Sequence, residues 1–236
     1  MYSIKQRVRY SEADHTKHLT LTGIVNYFQD CSTFQSEDIG LGIEFLESHR
    51  RGWVLSSWQI IVHRYPKIGE TIEVGTWPTG FDKLYGTRNF VMKDENGEIL
   101  ACANSIWVFM DMEKGRPTKP TEEEIRAYEL EPEFPMKYAP RKIDLPEGWE
   151  EIPAFPVRKA QIDTNGHVNN SRYIEMALEL LPKEWSLGQV RVEYKKSAVY
   201  GDRIYPMLHE EENTMIVKLC DEDGRLFAAV EFTGEQ

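Results

Sequence analysis

The chain has 236 residues, 41% of them hydrophobic, enough for one large domain or two small ones with a real core. Its formal charge of −11 disfavours nonspecific nucleic-acid binding, which needs basic surface, and no window reaches the roughly 20 uninterrupted apolar residues of a membrane helix. Three widely spaced cysteines, Cys31, Cys102 and Cys220, argue against a disulfide framework, and the N-terminal MYSIKQRVRY lacks an apolar secretory block, so a cytoplasmic location is expected.

Tyr2, Ile4, Val8 and Tyr10 alternate with Lys5, Arg7 and Arg9, the period of a half-buried strand. The short polar segment Asp14-His15-Thr16-Lys17-His18 follows. Ile24, Tyr27, Phe28, Cys31 and Phe34 then recur at spacings of three and four, which predicts a helix ending near Asp38-Ile39-Gly40. WVLSSWQIIV, TIEVGTW and ILACANSIWVFM read as strands after it. Eight of the twelve prolines lie between Pro117 and Pro156, which rules out a continuous helix or a central strand there. Within this extended linker, Thr121 and Glu124 have capping-box spacing ahead of Ile125 and Tyr128.

The remainder repeats the beginning. Phe155 to Ala160 reads as a strand, and Tyr173, Ile174, Ala177, Leu178 and Leu181 as a helix face ahead of Pro182. Val190-Val192-Tyr194, Met215-Val217-Leu219 and Leu226 to Phe232 read as strands. Three pairs of segments match in order. Asp14…His18 corresponds to Asp163…His167 (163 − 14 = 149), Gly69-Glu70-Thr71-Ile72 to Gly201-Asp202-Arg203-Ile204 (201 − 69 = 132), and Asp94…Glu98 to Asp221…Arg225 (221 − 94 = 127). The expectation is a duplicated unit of strand, long helix and antiparallel meander. That pattern describes an α+β double hotdog, although periodicity alone also permits other α+β arrangements, with units at 1–116 and 153–236 joined by a linker at 117–152.

The segment DTNGHVNNSRY, Asp163 to Tyr173, gathers an acid, a histidine and three asparagines just before the second predicted helix. A helix start offers unpaired N–H groups and the positive end of the macrodipole, where a carbonyl oxygen gaining charge is stabilised. With Asp163, Asn165 and His167 this gives the parts of an acyl-transfer site. The competing reading is a capped turn, since Asp and Asn favour both caps and turns. His15 and His18 stand three apart, but nothing continues a metal-ligand pattern. No G-x-S-x-G elbow or phosphate loop is present. Arg158-Lys159, Arg172 and Lys195-Lys196 flank the segment as a candidate basic patch.

On these motifs, together with RRGWVLSSWQIIVHRYPKIGETIEVGTW and NGEILACANSIWVFMDMEKGRPTKP in the first half, the chain resembles the plant-type and bacterial acyl-acyl-carrier-protein thioesterases, which are tandem hotdog proteins. The resemblance implies hydrolysis of fatty acyl thioesters of acyl carrier protein, without metal or cofactor, by Asp163, Asn165 and His167. It implies that Asp163 is general base or nucleophile, and that the first unit takes the acyl chain. Plant members carry a Glu-Cys pair where this chain has Ser197-Ala198, which leaves Asp163 as the obvious acid; Glu175 and Glu179 are weaker alternatives. Two rival readings are an acyl-coenzyme A thioesterase and a non-catalytic acyl-binding hotdog protein. A hotdog dehydratase fits the helix-entry segment less well. A fused pair of units could act alone or form a homodimer.

Overall fold

A computed structural model describes residues 1–182 and 186–234. The chain divides into two compact units, Met1–Ser56 with Ile60–Tyr138, and Ser57–Gln59 with Ala139–Gln236.

The first unit contains β1 (Tyr2–Arg7), α1 (Leu21–Asp38), α2 (Ile43–Ser48), most of β2 (Arg51–Val62), β3 (Thr71–Asp82), β4 (Tyr85–Lys93), β5 (Ile99–Asp111), β6 (Arg116–Pro117) and α3 (Glu122–Ala127). Its sheet runs β1-β3-β4-β5-β2, with β6 added to β5. The predicted first helix is found where the periodicity placed it. Thr20 caps it by accepting the Gly23 amide at 3.0 Å. Its apolar stripe of Ile24, Val25, Phe28 and Cys31 is buried against β1 and β3, each large side chain contributing about 1.5–3 kcal/mol. Phe28 meets Phe90 of β4 at 5.3 Å between ring centroids.

The second unit contains β7 (Glu150–Glu151), β8 (Phe155–Pro156), α4 (Asn170–Leu178), β9 (Leu187–Tyr194), β10 (Arg203–Glu211), β11 (Thr214–Cys220) and β12 (Leu226–Gly234). Its sheet runs β9-β12-β11-β10-β7, with β8 also on β10. Tyr173, Ile174, Met176 and Ala177 of α4 are buried, and the helix packs on β11 and β12.

Two predicted elements are shorter than expected. The strand from Phe155 to Ala160 is only β8, followed by a 3-10 turn over Lys159–Gln161. Pro153 and Pro156 lack the N–H groups a longer ladder needs. β8 nevertheless keeps the register of its counterpart: Phe155 faces Ile204 and Pro156 faces Arg203, as Gln6 faces Ile72 and Arg7 faces Thr71. The second helix ends at Leu178, not Leu181. The Leu180 and Leu181 amides turn back only three residues, to Ala177 and Leu178, because the residue before Pro182 is pushed out of helical conformation.

The proline-rich stretch is extended and closely packed. Thr121 and Glu124 form the expected capping box on α3. Phe134 and Met136 then pack beside Trp77, Val91 and Cys102 of the first unit, and Ile143 and Trp149 beside Ile216, Leu226 and Ala229 of the second. Asn89 Oδ1 accepts the Phe134 amide and the Tyr138 hydroxyl, while Arg191 donates to the Pro140 and Lys142 carbonyls. Residues of this stretch thus pack on both sheets. No described helix is long and apolar enough to cross a membrane.

Candidate active site

The segment from Asp163 to His167 forms a closed turn. The Asp163 amide donates to the His167 carbonyl at 2.8 Å and the Gly166 amide to the Asp163 carbonyl at 3.1 Å. Asp163 Oδ1 accepts the Asn165 amide at 2.8 Å and the His167 amide at 3.4 Å. Gly166 takes φ +75, in the left-handed region that glycine enters without steric cost. The turn therefore exposes Asn165 and leaves Asp163 and His167 half-buried.

Its counterpart in the first unit has the same bonds. Asp14 Oδ1 accepts the Thr16 amide at 2.8 Å and the His18 amide at 3.3 Å, and the Asp14 amide donates to the His18 carbonyl at 2.9 Å. Lys17, at φ 67, stands where Gly166 does. The turns are anchored alike: Leu19 N–H to the Pro66 carbonyl at 2.8 Å, and Val168 N–H to the Ala198 carbonyl at 2.9 Å. The two offsets read from the sequence, 149 and 132, align both ends of these bonds.

Thr16 makes the first turn chemically different. Its hydroxyl donates to Asp14 Oδ1 at 2.6 Å and lies 3.0 Å from His18 Nδ1, tying acid and imidazole together. Burial pushes the Asp14 carboxyl up, but the bonds from the Thr16 hydroxyl and the His18 and Thr16 amides outweigh it and hold the group below its ordinary value. In the second unit Asn165 replaces Thr16, and the Asp163 and His167 side chains make no such link.

The same turn also closes two ordinary hairpins. Asp94 Oδ1 accepts the Asn96 and Glu98 amides, each at 2.9 Å, and Asp221 Oδ1 accepts the Asp223 and Arg225 amides at 3.0 and 2.8 Å. Asp163, Asn165 and Gly166 thus have turn-forming counterparts in Asp94, Asn96 and Gly97. Among the three candidate side chains, His167 alone has no turn-forming explanation, because its hairpin counterparts are Glu98 and Arg225.

The capping role falls to a different residue. Asn169 Oδ1 accepts the Ser171 amide and hydroxyl, each at 2.9 Å, and the Asn169 carbonyl takes the Arg172 amide at 2.9 Å. Within the first turn of α4 the Asn170 amide is left without a protein acceptor among the described residues. It is therefore the free donor at the positive end of the helix.

Ala198 is buried beside the turn through its bond to Val168, and Ser197 is exposed, so no carboxylate stands at either position. Glu175 pairs with Arg172 at 2.7 Å. The flanking basic residues separate into two groups. Arg172 pairs with Glu175, Lys195 with Glu193, and Lys196 with Asp221. Arg158 and Lys159 have no carboxylate partner among the described residues, and Lys159 lies 5.4 Å from the centroid of the exposed Tyr200 ring. Sequence proximity had grouped all five cations together; the structure leaves two with unpaired charge. No three His, Cys, Asp or Glu side chains cluster to hold a metal among the described residues.

The acyl-ACP thioesterase N-terminal domain family matches residues 1–128, and the C-terminal domain family of the same enzymes matches residues 147–228, which includes the whole turn and α4. The chain belongs to the acyl-ACP thioesterase family. It is 31% identical over 249 residues to a chloroplastic acyl-acyl-carrier-protein hydrolase of Cuphea viscosissima, an alignment covering 89% of this chain and 60% of that protein. The chain thus spans less than two thirds of that relative's length. An acyl-ACP thioesterase from Bacteroides thetaiotaomicron superposes with a TM-score of 0.91 at 24% identity, over 99% of this chain and 97% of that one. The 12:0-ACP thioesterase from Umbellularia californica gives 0.85 at 19% identity, over 99% and 96%. At these identities the superpositions establish the hotdog fold.

Proposed function

We propose that this family member hydrolyses the thioester of fatty acyl-acyl-carrier protein, releasing a free fatty acid and the thiol of the carrier. The observation that carries this reading is the match of both family domains in order, with the polar turn inside the second. In this reading the thioester carbonyl oxygen meets the Asn170 amide at the start of α4, where the helix dipole favours developing negative charge. Asp163 Oδ1 is occupied by the turn, so Oδ2 is the oxygen that takes a proton from water. The water oxygen then attacks the carbonyl carbon, and the C=O electrons move onto oxygen. Collapse breaks the C–S bond, and the departing thiolate takes the proton back from Asp163. His167 and Asn165 orient the thioester and the water.

An acid already engaged by two backbone amides is a better base than nucleophile, because covalent attack by Oδ2 would pull the carboxylate out of the turn. The first unit, with its long apolar helix face, is assigned to the acyl chain. A reducing cytoplasmic compartment belongs to the same reading, supported by three buried free cysteines. The test is thiol release from C8 to C18 thioesters of carrier protein and of coenzyme A. Preference for the carrier series, lost in His167→Ala and Asp163→Asn, is expected. Absence of turnover with folded wild-type protein would leave an acyl-binding role instead.

A further inference from the structure

A buried tyrosine and a half-buried one hold the backbone around the polar turn of the second unit, and the first unit has apolar residues in both places. Tyr173, in the first turn of α4, is 2% exposed, and its hydroxyl accepts the Ala198 amide at 2.7 Å. The Ala198 carbonyl accepts the Val168 amide, one residue beyond His167. Tyr194, the last residue of β9, donates its hydroxyl to the Asn170 carbonyl at 2.9 Å. The two rings meet edge-on with centroids 5.9 Å apart. At the offsets that align the copies, their counterparts are Ile24 (173 − 149) and Val62 (194 − 132), both buried.

The difference is not required by the fold. The counterpart of Ala198 is Pro66 (198 − 132), which accepts the Leu19 amide in the same way but has no N–H to satisfy. The first unit thus anchors its turn with a proline and an isoleucine. The second keeps an N–H at Ala198 and supplies a buried hydroxyl to meet it, although a buried polar pair gains little net stability over apolar packing. The tyrosine pair holds both neighbours of the proposed chemistry, the Ala198 peptide behind His167 and the Asn170 residue whose amide faces the thioester. Burial, with the charges of Asp202 and Asp163, pushes the Tyr173 hydroxyl up to about 12, against the Ala198 amide, so the group stays neutral.

We infer that Tyr173 and Tyr194 are positioning residues for thioester hydrolysis, fixing the Val168–Ala198 bond and the first turn of α4 so that His167 and the Asn170 amide keep their mutual geometry. This rests on the hydrolase reading above. Tyr173→Phe and Tyr194→Phe remove one hydroxyl each and keep the rings. Each should lower kcat about ten-fold or more with KM within about two-fold, the pattern of a site displaced by a fraction of an ångström. Val230→Ala, which opens a small cavity in β12, serves as the control: at a comparable loss of Tm it should retain kcat. Hydrogen exchange in Tyr173→Phe should quicken at the Val168 and Ala198 amides and stay unchanged in β11 and β12. Should Tyr173→Phe fail to fold, Tyr194→Phe carries the same kinetic comparison. If the hydroxyl-deleted proteins lose no more kcat than Val230→Ala, the positioning role is overturned while the hydrolase reading stands. No turnover in wild type would overturn the hydrolase reading itself.

Discussion

Asp163 Oδ1 accepts the Asn165 amide at 2.8 Å, the same bond by which Asp94 Oδ1 accepts the Asn96 amide at 2.9 Å in the β4–β5 hairpin. The acid at the candidate site is therefore a turn residue as well as a candidate base, and the two roles separate experimentally. Asp163→Asn keeps an oxygen for the amides and should cost little stability. Asp163→Ala should cost about 1 kcal/mol, the usual loss when a side-chain acceptor of backbone N–H groups is removed. Both should abolish thioester turnover. Asp94→Ala should show the same stability loss with full activity. Equal melting temperatures for Asp163→Ala and wild type would show that the carboxylate does not hold the turn.

Gly166 and Lys17 occupy the same position of the two copies at φ +75 and +67. Nothing lies within 4 Å of a Cβ built on Gly166, so a side chain there meets backbone strain alone. Gly166→Ala should therefore destabilise by about 1 kcal/mol, and Lys17→Gly should stabilise by a similar or smaller amount, because glycine also loses more entropy on folding. Urea denaturation of the two variants reads both signs. A neutral Gly166→Ala would mean that the turn relaxes out of the left-handed region.

Long periodic elements were legible in the sequence because burial of one face dictates their pattern. The 18 residues of α1 and the strands around Trp58, Val74 and Ala103 fell where expected. β4 and β10 were not singled out, since Arg88 and Asn89 break the apolar run of one and Pro206 and His209 that of the other. At the site, sequence showed that a polar turn precedes a helix, but not which polar groups the turn itself consumes. That division depends on backbone amides, and amides leave no mark in a sequence. The comparison that would have exposed it was available: D-E-N-G-E at 94–98 repeats the D-x-N-G-x of 163–167. The tyrosine pair was hidden for another reason, because Tyr173 and Tyr194 fit an apolar pattern as well as Ile24 and Val62 do.

The three cysteines are buried and unpaired. Burial pushes the Cys31 thiol up to about 12 and the Cys102 thiol to about 11, and raises Cys220. Since the thiolate is the reactive form, a chromogenic thiol reagent at pH 8 should titrate none of them in the native protein and all three after unfolding. This also fixes the background of the thiol-release assay. Fast labelling of one equivalent in the native state would identify a cysteine that opens readily to solvent.

His209 joins β10 to the strap carrying β7. Its Nδ1 lies 2.7 Å from the Gly148 carbonyl and its Nε2 3.2 Å from Glu211, so both bonds form together only in the imidazolium. Trp149 packs beside the ring, Lys218 lies over Trp149, and Glu150 and Glu210 are neighbours in sequence. The Gly148 bond, then Glu211, raise its pKa above the ordinary 6.5. A raised folded-state value means that the stabilisation is complete below about 6.5 and is lost as pH rises through the folded pKa. Amide exchange in the strap at 148–152 should therefore speed up, beyond the intrinsic base-catalysed rate, between pH 6 and 8, and this extra dependence should vanish in His209→Gln. An unchanged profile in the variant would assign the effect to another group.

Among the described residues, Arg158 and Lys159 carry unpaired charge beside the turn, whereas Arg172, Lys195 and Lys196 are neutralised locally. If an acidic carrier delivers the thioester, its approach should depend on these two cations more than on the other three. Rim charges act mainly on association, and their effect is screened over a Debye length of about 8 Å at physiological salt. The double variant Arg158→Glu/Lys159→Glu should raise KM for carrier thioesters several-fold at low salt and converge on wild type as salt rises. Lys195→Glu should change it less, since it reverses one charge where the double variant reverses two. Coenzyme A thioesters provide the internal comparison, because a small substrate samples little of this surface. A KM shift of equal size for both substrate classes would place the two cations at the thioester pocket and take them out of carrier recognition.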